Sequence, residues 1–198
     1  MRWLPSPLPG STFKPVQLYV LGRYDLLING VLQRFDGRGP RKPLALLGLL
    51  AAAGPHGACT TAIADALWPE ADGFDAYRAL ITTLHRLRRL LVHRSAIYCG
   101  AGRLRLDPAT CAVDLWDFEQ ALAGARDRLA LQAALALSAG PFLEEEDGPW
   151  AIGVRARLEQ SVARKTRQLW SAPSTSRVAS NNGAYCAGVG QAIAVGAI

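Results

Sequence analysis

The sequence lacks the features that mark secreted and membrane proteins. Its four cysteines, Cys59, Cys99, Cys111 and Cys186, are far apart and form no Cys-x-x-Cys pair, which favours free thiols in a reducing compartment. No segment reaches the roughly 18 uninterrupted apolar residues that a membrane span needs. The proline-bearing N-terminus lacks the apolar core of a signal peptide. We therefore expect a cytoplasmic protein with no membrane partner.

Catalytic motifs are also missing. The chain has no Gly-rich phosphate loop, no Gly-x-Ser-x-Gly and no dinucleotide fingerprint. His56 and Cys59 are two metal-ligand types without a second pair at a metal-site spacing. The acidic run 144–147 lies between Pro141 and Pro149 with no nucleophile or base motif nearby, which is typical of a solvated loop. We expect no enzyme activity, no cofactor and no metal site.

The excess positive charge lies entirely in the first part of the chain. Residues 1–113 hold 14 Lys and Arg against 7 Asp and Glu, a net charge of +7, whereas residues 114–198 hold 8 against 9, a net charge of −1. This division is expected if the first part binds a polyanion and the second does not. Many soluble domains are mildly basic, so charge alone does not identify the partner.

Local patterns predict an α+β fold in the first part. The proline-rich segment 1–15 is expected to be a flexible arm. Three short apolar runs follow, and Asn29-Gly30 between the last two favours a tight hairpin turn, so a small antiparallel sheet is predicted. Pro43 suits the first position of a helix, and Thr60 or Thr61 can cap the next one. The predicted strands and helices cover 17–21, 24–28, 31–35, 42–53 and 60–68.

A long helix over 74–92 and a second hairpin through 97–106 complete the predicted fold of the first part. The order of sheet, two helices, long helix and hairpin predicts a winged helix-turn-helix at 16–110. From Asp114, which can cap a helix, the patterns are helical only, at 115–123, 128–139 and 149–170. We expect a short all-α unit at 113–170 and a disordered tail at 171–198.

The long helix carries the main candidate binding residues. At about 100° per residue, one arc of roughly 100° holds only polar side chains, and the opposite arc is apolar. The polar set is Arg78, Thr82, His85, Arg86 and Arg89, and the apolar set is Tyr77, Leu80, Leu84, Leu87 and Leu91, with Ile81 just beyond. A solvated amphipathic helix would explain the same pattern. Arg, Thr and His are, however, the groups that reach base edges and phosphates in a major groove.

The second hairpin and two helix starts supply further basic or polar candidates. Arg103 and Arg105 alternate with leucines that face the other way, so they can lie along a DNA backbone, although a polar edge strand would look the same. Four residues near helix N-termini are candidate phosphate contacts, namely Arg41, Lys42, Thr60 and Thr61.

The chain resembles the SARP-type bacterial transcriptional activators, which join an OmpR/PhoB-like winged helix to a bacterial transcriptional activator domain of tetratricopeptide-like (TPR-like) helix pairs. The resemblance covers roughly 16–170, and its motifs are specific in combination rather than singly. They are Leu18 to Gly22, Arg41-Lys42-Pro43-Leu44, Leu67-Trp68-Pro69, Ala79-Leu80, Leu84 to Leu90, Val113-Asp114, Phe118-Glu119, Gly140-Pro141-Phe142-Leu143, Trp150 and Arg157-Leu158.

The resemblance implies sequence-specific binding to double-stranded promoter DNA, as side-by-side copies on direct repeats, and activation of transcription through RNA polymerase. In such winged helices the loop from Pro69 to Gly73 is the polymerase-facing element. The groove-facing positions carried over are the same five on the long helix, and Arg88 is expected to make an internal salt bridge instead. Family members continue through further helix pairs, whereas here the pattern stops near Trp170, so we expect an exposed last helix. The alternative is a regulator fragment that acts as a protein-interaction module through its helical segment.

Overall fold

A computed structural model of the chain describes residues 13–35 and 40–171. The predicted arm and tail lie almost entirely outside these residues and stay predictions. The elements, in chain order, are β1 (Val16–Tyr19), β2 (Asp25–Ile28), β3 (Val31–Gln33), α1 (Arg41–Ala52), β4 (Ala58–Cys59), α2 (Thr60–Leu67), α3 (Gly73–Leu91), a single 3-10 turn (Arg94–Ala96), β5 (Ile97–Gly100), β6 (Arg103–Leu106), β7 (Cys111–Val113), α4 (Asp114–Gly124), α5 (Arg128–Leu135) and α6 (Pro149–Ser171).

The N-terminal sheet has the strand order β3-β2-β1-β7. β1 pairs with β2 and β2 with β3, both antiparallel, as the three apolar runs predicted. Asn29 and Gly30 have φ angles of 51° and 80°, so the turn between β2 and β3 uses the left-handed region that these residues tolerate. The predicted hairpin is therefore present.

The fourth strand of this sheet was not predicted. β7 pairs with β1 in parallel, with Val16 opposite Cys111 and Leu18 opposite Val113. The winged-helix segment was expected to end at residue 110, yet the three residues that follow complete its N-terminal sheet. Parallel pairing needs a long crossover, here every element from β2 to β6, so no local pattern predicts it.

The first two helices begin differently from the prediction. α1 starts at Arg41, which puts Pro43 in the third helical position rather than the first. The N-cap of α2 is Cys59, and neither predicted threonine caps the helix. The Thr60 hydroxyl instead donates to the carbonyl oxygen of Gly102 in the second hairpin, at 3.2 Å. The backbone N–H of Thr60 donates to the same oxygen at 2.9 Å, so Thr60 joins α2 to that hairpin and does not act as a side-chain cap.

α3 packs its apolar side into the core, as predicted. Asp72 caps the helix by accepting a hydrogen bond from the Asp75 backbone N–H at 2.8 Å. The buried residues of α3 are Ala76, Leu80, Thr83, Leu84, Leu87 and Leu91. Tyr77 was wrongly expected among them, because its ring is 48% exposed at the edge of this face.

β4, β6 and β5 form a second, three-stranded sheet in that order, which we call the wing. Leu104 and Leu106 of β6 are buried, and Arg103 and Arg105 alternate with them on the other face. The predicted hairpin is thus present, with β4 as an additional strand against β6.

The helical part is docked on the N-terminal sheet by long-range contacts. Asp114 was expected to cap α4, but its carboxylate accepts hydrogen bonds from the backbone N–H groups of Val20 and Leu21 at 2.9 and 3.1 Å. Gly22 approaches the turn after α5 so closely that a Cβ would lie 2.6 Å from the backbone of Ala139.

α5 ends at Leu135, earlier than predicted, and α6 matches the prediction within one residue.

Within 13–35 and 40–171, no helix combines the length and the apolar composition that crossing a bilayer requires. The same residues contain no group of three or more side chains arranged to hold a metal ion.

Candidate nucleic-acid interface

The five predicted residues of α3 lie together on its outer face. The side chains of Arg78, Thr82, His85, Arg86 and Arg89 are all exposed, and the opposite face of the same helix is buried. From Arg78 to Arg89 the set extends about 16 Å along the axis, at 1.5 Å per residue. We call this set the groove face.

One turn before the groove face, α3 carries an exposed aromatic ring that the sequence reasoning missed. Phe74 is 70% exposed, and the guanidinium carbon of Arg78 lies 5.6 Å from its ring centroid. One turn further, the Thr82 hydroxyl donates to the carbonyl oxygen of Arg78 at 3.0 Å. The signal was available in the sequence, because Phe74 precedes Arg78 by four residues and therefore lies on the same side of a helix.

Arg88 does not belong to the groove face. Its Nη2 donates to the carbonyl oxygen of Ile97 at 3.4 Å, while its buried Nε has no partner among the described residues. The predicted internal salt bridge is wrong, since the acceptor is a backbone carbonyl. This bond joins α3 to β5 of the wing.

The wing presents its two arginines in different environments. The Arg105 guanidinium lies 4.7 Å from the ring centroid of Tyr98 on the neighbouring strand. Arg103 donates from Nη2 to the carbonyl oxygen of Gly57 at 2.9 Å, which braces the loop before β4. Both side chains remain on the outer face of the wing, opposite buried leucines.

At the start of α1, the candidate Lys42 makes contacts within the protein that the sequence did not predict. Lys42 donates from Nζ to the carbonyl oxygen of Leu67 at 2.6 Å and lies 5.3 Å from the Trp68 ring centroid. Its ammonium therefore satisfies a carbonyl group at the C-terminal end of α2, and both Lys42 and Arg41 are exposed. Their role as phosphate contacts stays a prediction.

The start of α2 has a polar cluster of its own. The Thr61 hydroxyl lies 3.1 Å from the sulfur of Cys59, and hydrogen bonding by Thr61 lowers the pKa of that exposed thiol. Thr60 is held by the wing through Gly102. The phosphate-binding role predicted for Thr60 and Thr61 has no direct structural test here and stays a prediction.

The cations of the groove face form no ion pair within the described ranges. The ion pairs found there join Arg23 to Asp25 and Arg157 to Glu119, both away from α3 and the wing. An arginine without an internal carboxylate keeps its charge available for a phosphate or a base edge. The arrangement can therefore bind an extended anion along one side of α3.

Comparison with known proteins gives a fold likeness. No protein-family model matches the chain, and no curated protein matches it. It is similar to the solved structure titled Mycobacterium tuberculosis EmbR in complex with low affinity phosphopeptide, with a TM-score of 0.58 and 24% identity. The match covers 78% of this chain and 44% of the EmbR chain, so this chain spans less than half of that protein's length. At this identity the likeness concerns the fold alone, and it supports a mixed α and β architecture for the described residues.

Proposed function

We propose that the protein is a sequence-specific regulator of transcription that binds double-stranded DNA at promoters, with α3 in the major groove. The observation that carries the proposal is the groove face, where five exposed polar or cationic side chains lie opposite a fully packed apolar side. A major groove about 12 Å wide accepts one α-helix, and bidentate Arg contacts to guanine are the commonest specific readout. The buried side holds the helix rigid, which base reading requires.

The wing supplies the sequence-independent part of the proposed interface. Arg105, stacked on Tyr98, and Arg103 at the start of β6 project from the face opposite the wing's buried leucines. Arginines on such an outer face suit phosphates, which position a protein on DNA without reading sequence. The proposal therefore assigns base contacts to α3 and contacts with the DNA backbone to the wing.

The activator role and the polymerase partner extend the proposal by resemblance. The loop from Pro69 to Gly73 is fully exposed between α2 and α3, as an element that contacts a second protein must be. Self-association on direct repeats belongs to the same part of the proposal.

The test starts with selection of duplexes from a random pool by the full chain. Affinity of the selected and of a random duplex is then measured by fluorescence anisotropy over a salt series. Arg86→Ala should cost about 1–3 kcal/mol on the selected duplex and little on the random one, whereas Arg103→Ala should weaken both similarly. Arg164→Ala, which removes the same charge from exposed α6, is the matched control and should change neither.

Two results would contradict the proposal. Equal loss on both duplexes for Arg86→Ala would refute base reading by that side chain. Affinity that does not fall with added salt would argue against the whole DNA footprint, because phosphate contacts release counterions.

A second candidate function is protein interaction through the helical part. An open groove of about 510 Å³ lies between α6 and the turn after α5, lined by apolar side chains that include Leu135, Phe142, Leu158 and Val162. α6 buries only Ala151 and Leu158 along its 23 residues. Under this candidate, size-exclusion mixing with a longer relative gives a complex, and the chain alone selects no duplex from the random pool.

A further inference from the structure

The exposed ring of Phe74 at the start of α3 has a neighbourhood that points to a specific ligand. Single exposed apolar side chains are common on protein surfaces, so its exposure alone decides nothing. Phe74 is, however, four residues before Arg78, which is itself four before Thr82, and the three lie in one line along the groove face. The ring therefore extends the groove face by one turn toward the start of α3.

The position of the ring along α3 favours base edges. Phe74 is the second residue of the helix, and in helix-turn-helix proteins the N-terminal residues of the recognition helix contact the bases. Thymine is the base that offers an apolar group in the major groove, its 5-methyl, and Phe is one of the side chains that contact it.

The charges around the ring also favour contact with base edges over contact with phosphates. Glu70, Asp72 and Asp75 are exposed beside the start of α3, and carboxylates repel phosphates. This end of the helix is therefore unsuited to the DNA backbone. A carboxylate can accept from the N4 amine of cytosine, so the same end is compatible with the floor of the groove.

We propose that Phe74 contacts the 5-methyl group of a thymine next to the base bound by Arg78, an inference that rests on the proposed DNA binding. The guanidinium of Arg78 lies over the ring, 5.6 Å from its centroid, so the two side chains support each other. Phe74 then selects thymine over cytosine at one step of the recognised sequence, and the two contacted bases are neighbours.

The test replaces each thymine of a selected duplex, one at a time, with deoxyuridine, which pairs in the same way and lacks only the 5-methyl group. Binding of the full chain is measured by fluorescence anisotropy at one salt concentration. Removal of one buried methyl should weaken the wild type about fourfold at one or two positions. Phe74→Ala should bind the thymine and deoxyuridine duplexes equally at those positions.

Tyr77→Ala is the matched control, because it removes an exposed aromatic ring from the same turn but outside the groove face. It should keep the fourfold difference. A wild type that is indifferent to every replacement, or a Phe74→Ala variant that keeps the difference, would overturn the thymine contact while leaving DNA binding intact. Failure of the full chain to select any duplex would overturn the proposed function and this contact together.

Discussion

Asp114 joins the helical part to the N-terminal sheet, and its ionisation gives a quantitative test of that junction. The carboxylate is 7% exposed and accepts hydrogen bonds from the backbone N–H groups of Val20, Leu21 and Leu115 at 2.8–3.1 Å. Burial raises the pKa of Asp114 to about 6, although these N–H groups and Arg23 favour the ionised form. The informative substitution is Asp114→Asn, which keeps the shape of the side chain and removes the titrating proton.

The sign of the pH effect follows from the two pKa values. The folded-state pKa, about 6, lies above the ordinary value of 3.8, so the folded protein binds this proton more tightly than the unfolded chain. The contribution of Asp114 to the free energy of unfolding is therefore fully present below about pH 4 and is lost as the pH rises through about 6. The difference between the pKa values corresponds to about 3 kcal/mol.

The measurement is urea unfolding of the wild type and Asp114→Asn at several pH values between about 4 and 7, followed by tryptophan fluorescence. The free energy of unfolding of the wild type relative to the variant should fall by about 3 kcal/mol across this range. The comparison cancels Asp117 and Glu119, whose pKa values burial also raises, because both are present in both proteins. A constant difference would show that the N–H hydrogen bonds balance burial, and one that grows with pH would show that they outweigh it. Either result would refute this reasoning.

Three further predictions concern packing, and urea unfolding at fixed pH checks each. Gly22→Ala should lower the free energy of unfolding by more than about 2 kcal/mol, because φ is +73° and a Cβ would meet the Ala139 backbone. Unchanged stability would mean that the backbone at Gly22 and Ala139 shifts to make room for the methyl group. Leu80→Ala should cost about 2–5 kcal/mol, because the side chain is fully buried under the groove face; a loss below about 1 kcal/mol would contradict that packing. Trp116→Phe should cost about 0.5–1.5 kcal/mol by removing the 2.8 Å hydrogen bond from Nε1 to the Ala51 carbonyl oxygen; unchanged stability would assign that bond no net value.

The candidate site could be assembled from the sequence because it lies on one regular helix. The angular arithmetic that groups Arg78 with Arg89 depends only on helical periodicity, and the structure brings the same five side chains to one exposed face. The same arithmetic put Tyr77 in the core, since periodicity gives a direction but not the extent of the neighbouring elements. Lys42 was named from its place near a helix N-terminus and Arg103 from its alternation with leucines, and neither pattern could show that each binds a carbonyl group distant in sequence.

Local sequence by itself determined the helices, both hairpins and the turn at Asn29-Gly30, because backbone preferences and apolar spacing act within a few residues. Tertiary structure alone decided the parallel pairing of β7 with β1, which joins segments separated by the whole winged-helix region. It also decided the role of Asp114, which the sequence marks as a helix cap and the fold uses to satisfy buried N–H groups of a distant strand end. A buried polar group forms hydrogen bonds with the partners that the fold brings within reach, and the neighbouring residues in the sequence do not determine which partners those are.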